Sequence, residues 1–71
     1  MNGEIARVRD MFLRLYEQQR ARLATLPTRQ VEQLHHEADE IRRGGEDYSV
    51  RTAADINHGA CWSVLNERGE I

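Results

Sequence analysis

Two stretches with the same apolar spacing stand on either side of one proline, and no other feature constrains the fold as much. Ile5, Val8, Phe12 and Leu15 follow a 3, 4, 3 spacing, and so do Val31, Leu34, Ala38 and Ile41. Helical geometry puts each set on one side of a cylinder, and Met11 and Tyr16 widen the first stripe. Pro27, in "TLPT", lacks the amide proton a helix interior needs, and Thr28 after it is suited to capping a new helix. Helix 1 is therefore expected over about residues 3–24 and helix 2 over about 28–43. Arg42 and Arg43 suit the negative end of the second helix dipole, and Gly44-Gly45 is a strong stop. So short a connection makes the two helices antiparallel neighbours, a helical hairpin. Gln19 and Arg22 interrupt the first stripe before Leu23 and Leu26 resume it.

The last third, "EDYSVRTAADINHGACWSVLNERGEI", admits more than one arrangement. Thr52 and Asp55 resemble a capping pair, which predicts a C-terminal helical segment over about residues 52–67. Ala53, Ile56, Ala60 and Val64 would face the hairpin, and His58, Cys61, Trp62 and Leu65 would face away. Gly59 costs a helix about 1 kcal/mol and allows a break at "HGA" into two shorter helices. "CWSVL" can also be read as a strand with "NERG" as its turn. The helical reading is preferred. The expected fold is all-α, one domain over residues 1–71: an antiparallel helical hairpin plus a C-terminal helical segment, with a C-terminal strand as the alternative.

The histidines in "VEQLHHEADEIRRGG" raise the question of a metal or acid–base site. "EQLH" has the Glu-x-x-His spacing of carboxylate-bridged metal bundles, whose ligands point into the bundle core. Glu32 points away from the Val31/Leu34/Ala38/Ile41 stripe, His36 lies opposite it and His35 at its edge, so no metal site is assigned. His35/Asp39 and His36/Glu40 are better read as surface pairs one helical turn apart. His58 and Cys61, three residues apart, could form a nucleophile pair, but no orienting third residue or oxyanion hole accompanies them. There is no glycine-rich phosphate loop and no Cys-x-x-Cys pair. No catalytic residue, cofactor or metal is therefore expected, and no enzymatic activity.

Charge bears on partners. Residues 1–29 hold six arginines against three acids, whereas residues 30–71 hold four against nine, so the halves carry +3 and −5. Such asymmetry can orient a partner or pair two chains head to tail. The split-helix reading of residues 49–71 resembles a helix-turn-helix, and its "ERG-I" ending is similar to the close of recognition helices in many winged domains. DNA-binding regulation is the alternative function on that ground. Against it, the segment holds only Arg51 and Arg68 as cations, and DNA affinity comes chiefly from neutralising phosphates.

Seventy-one residues rarely build a core worth more than about 3–5 kcal/mol, so a homodimer or another partner is expected. The first twenty residues are charged throughout, with neither a signal-peptide core nor a membrane span, and the single Cys61 suits a reducing cytoplasm. All ten basic residues are arginine, which suggests GC-rich bacterial or phage coding. The reading is a small cytoplasmic protein-binding regulator or inhibitor, such as a phage-encoded antagonist or an antitoxin. Its expected partner contacts are Trp62, Leu65, Tyr16 and Cys61, because amphipathic aromatics are enriched in interface hot spots.

Overall fold

The computed structural model describes residues 2–45 and 47–71 of the chain, and over these it is all-helical, with three helices and no strand. α1 spans Asn2–Leu23, α2 Thr28–Arg43 and α3 Tyr48–Glu67. None of them is long and apolar enough to cross a membrane.

The break between α1 and α2 falls at Pro27, whose extended backbone (ψ 147°) turns the chain, while its carbonyl accepts from the amides of Gln30 and Val31. Thr28 is the first helical residue and not the cap. Its hydroxyl accepts a hydrogen bond of 3.0 Å from Arg68, which also donates to the carbonyls of Ala24 (3.0 Å) and Leu26 (2.8 Å). One guanidinium at the end of α3 thus fastens the α1–α2 connection. α2 ends as expected at Gly44, and Gly45 takes φ +75°, a conformation that a side chain disfavours.

α3 is one unbroken helix, so neither the break at Gly59 nor the strand at "CWSVL" forms. It starts four residues before the expected Thr52. Asp47 is the cap, its carboxylate accepting from the Val50 amide at 3.0 Å, and the Thr52 hydroxyl instead donates to the Tyr48 carbonyl inside the helix. Gly59 lies in mid-helix beside the Tyr16 ring of α1, at a distance where even a Cβ would make only an ordinary contact. At the other end Gly69 (φ +76°) closes the helix, with the Glu70 amide reaching back to the Leu65 carbonyl.

α3 is the centre of the molecule. Both α1 and α2 pack mainly on it and only weakly on each other. Tyr16 meets Ser63 and Arg20 meets Glu67, a constant separation along the chain, so α1 and α3 run parallel. His35 meets His58 and Arg42 meets Asp55, so α2 runs antiparallel to α3. The core consists of Leu23 from α1, Val31 from α2 and Ala60, Cys61, Val64 and Leu65 from α3, with Tyr16, Leu26 and Leu34 packed around it. Ala38 and Ala54 are buried as well.

This arrangement corrects two of the expected partner contacts. Leu65 is 3% exposed and Cys61 not exposed at all; both are core residues. A helix resting on one hairpin surface would bury one stripe, but α3 lies between two helices and buries a wider arc, which takes in both residues. Ala53, expected to face inward, is exposed instead.

Candidate association surface

The N-terminal half of α1 is largely uncovered. Ile5, Val8, Met11, Phe12, Leu13 and Leu15 are 38–70% exposed, although all belong to or border the apolar stripe. From Tyr16 onward the same helix is held to α3: the Tyr16 hydroxyl is hydrogen-bonded to Ser63, and Arg20 donates to the Glu67 carboxylate. Before Tyr16 a cleft of about 720 Å³ opens beside the helix, lined by α1 residues and by Ile56 alone of α3. Exposed apolar patches of this kind usually mark association surfaces.

A second groove, of about 320 Å³, lies between α2 and the first part of α3, with Gln19, Arg22 and Leu23 of α1 also along it. Leu34, Ala38 and Ile41 form one wall and Val50, Ala53 and Ala54 the other. The α2 stripe is thus covered at Val31 and only partly covered at Leu34 and Ile41.

Between α2 and α3 runs a polar seam. The His35 and His58 rings stack with centroids 4.3 Å apart. One ring nitrogen of His58 lies 3.2 Å from Arg42 and the other 3.7 Å from Asp39, while Arg42 donates to Asp55 at 2.6 Å. Burial, with His35 and Arg42 as neighbouring cations or potential cations, lowers the His58 pKa from its ordinary value. The expectation that both helix-2 histidines are wet holds for His36, which pairs with Glu40 at 2.9 Å, but not for His35. His35 is half-buried, and its Nε2 is buried without a hydrogen-bond partner among the described residues. Asp39, its expected partner, instead faces Arg42, Arg43 and His58. Among the described residues no cluster of three His, Cys, Asp or Glu side chains has the arrangement of a metal site.

The two other expected contact residues separate. Trp62 is 47% exposed on the side of α3 that neither neighbour covers. Tyr16 is half-buried and spent on packing α1 against α3. Burial raises the Cys61 thiol pKa, the reverse of what an activated nucleophile needs. The continuous α3 also lacks the turn at "NHGA" that a helix-turn-helix over residues 49–71 requires. The stripe on α1 was present in the sequence as the 3, 4, 3 spacing; its exposure was not, because the spacing marks an apolar side without saying what lies against it.

These features define a small three-helix protein with an uncovered apolar α1. No family model matches the chain, and no curated protein or solved structure does either.

Proposed function

We propose that the protein is a protein-binding regulator or inhibitor that acts through its helical surface as a homodimer in a reducing cytoplasm. One observation carries this reading: six large apolar side chains are exposed within eleven residues of α1, from Ile5 to Leu15. The core supports it. Among the described residues only four large aliphatic side chains, Leu23, Val31, Val64 and Leu65, are buried, a small core beside so much exposed apolar surface. Burying that surface against another polypeptide removes it from water at roughly 25 cal/mol per Å² of apolar area. Trp62 is a second, separate apolar contact on the opposite element, of the residue type most enriched in hot spots. A phage-encoded antagonist or an antitoxin has this size and character, and the single buried Cys61 suits a reducing compartment.

The test is retention from a lysate of the native host on immobilised wild-type protein and on a Phe12→Glu/Leu13→Glu variant of equal helicity. A specific protein held by the wild type and lost by the variant is the expected result. Retention of duplex DNA in place of protein, weakening steeply with salt, would replace this reading with DNA-binding regulation.

A further inference from the structure

We propose that the seam between α2 and α3 is an acid-sensitive latch: a proton taken up by His58 releases the second half of α2 from α3 and opens the groove that Cys61 lines.

The hydrogen-bond chemistry of the seam carries this. A guanidinium only donates, so the His58 Nδ1 that lies 3.2 Å from Arg42 must present its lone pair, and the ring's one proton sits on Nε2, toward the Asp39 carboxylate 3.7 Å away. Nδ1 is therefore where a further proton has to go. Protonation there sets N–H against N–H and an imidazolium beside a guanidinium, so the contact with Arg42 breaks. The nearby carboxylates are already engaged. Asp55 of α3 accepts from Arg42 at 2.6 Å, and Asp39 of α2 faces Arg42 at 3.6 Å and Arg43 at 3.4 Å. His35 of α2 stacks on the His58 ring, with centroids 4.3 Å apart and 27° between the planes. Glu32 and Glu70 line a hollow with His35 and not with His58, so His58 is the member of the stack whose charge would lack a free carboxylate.

Burial, with His35 and Arg42, holds the His58 pKa below its ordinary value against the pull of Asp39 and Asp55. An open seam returns the ring to water and to a pKa of about 6.5, so opening is favoured as pH falls below that value.

Position makes the release local. Near the start of α2, Val31 lies in the core and Thr28 is tied to Arg68, whereas beyond Leu34 the only buried residue of this helix is the small Ala38. Asp39 and Arg42 belong to that second half, and so do the groove-lining Ala38 and Ile41. Cys61 lines the same groove and is not exposed at all while the seam is closed, so its thiol reports the opening.

The rate at which 4,4′-dithiodipyridine labels Cys61, divided at each pH by its rate with a cysteine peptide, measures that opening. An open-state pKa of about 6.5 limits the rise between pH 7.5 and 5.5 to about tenfold, and a rise of about three- to tenfold at unchanged helicity is expected. His58→Gln should abolish the rise, and His36→Gln, on the exposed side of α2, should keep it. In the wild type the His58 ring resonances, followed by NMR, should titrate below pH 6.5 and together with the labelling rise, which decides the matter should His58→Gln not fold. A normalised rate that is constant over this range overturns the latch. So does a rise that His58→Gln retains, one that tracks loss of helicity and hence global unfolding, or a His58 that titrates at or above pH 6.5.

Discussion

Trp62 and Leu65 are three residues apart on α3 and have opposite fates, one 47% exposed and the other 3%. Leu65→Ala removes core volume and is expected to cost about 2–5 kcal/mol, enough to unfold a domain of this size. Trp62→Ala should cost the isolated fold less than that, since nearly half of the side chain faces water. Chemical denaturation of the two variants followed by circular dichroism checks the contrast; equal losses would place Trp62 in the core. His58 gives a pH dependence. Its folded pKa lies below the unfolded value of about 6.5, so the unfolded chain binds the proton more readily. Its neutral form faces His35, Arg42, Asp39 and Asp55, and stability is full above pH 6.5 and falls as pH drops from there toward the folded pKa. His58→Gln should flatten that part of the stability profile, measured by thermal melts from pH 7.5 to 5.

At the scale of the helices, ends and interruptions carry the stability. The Asp47 carboxylate satisfies the Val50 amide, so Asp47→Ala is expected to fray the start of α3 and cost about 0.5–2 kcal/mol. Hydrogen exchange at the Val50 amide should rise first. Gly59 offers the opposite change. A methyl group there would meet the Tyr16 ring at 3.7 Å, an ordinary contact, and Gly59→Ala replaces a poor helix former by the best. It should stabilise the fold by about 0.5–1 kcal/mol, read as a higher melting temperature. A loss would mean that the α1–α3 approach cannot admit the methyl. The expected split at Gly59 failed for a related reason: the propensity cost of one glycine is small against two packed interfaces that both require a continuous α3.

The molecule as a whole measures 42 × 27 × 17 Å, elongated for so short a chain, with α1 and α2 on either side of α3. If it dimerises as proposed, folding and association are linked, and the melting temperature should climb with protein concentration across a hundredfold range. In Val8→Glu that dependence should vanish.

Local chemistry determined where helices begin and end. The 3, 4, 3 stripes, Pro27 and Gly44-Gly45 were enough to place α1 within a residue at each end and α2 at its boundaries, because proline, glycine and helical period act over one or two turns. The start of α3 lies earlier than the Thr52/Asp55 pattern predicts because the Asp47 carboxylate takes the free Val50 amide, which leaves Thr52 inside the helix bonded to the Tyr48 carbonyl. Partner assignment was beyond local reasoning. The stripes of α1 and α2 could equally have closed on each other, and the sequence pattern is the same either way. The tertiary structure decided for α3, whose run of Ala54, Ala60 and Cys61 lets a helix approach closely from each side, with Arg68 fastening the α1–α2 turn and the His35–His58 stack joining α2. Once α3 sits in the centre, Leu65 and Cys61 go to the core, Trp62 stays half-exposed, and the first half of α1 is left largely uncovered. Those outcomes depend on which surfaces meet across forty residues of chain, and apolar spacing along a helix records only that a side is apolar.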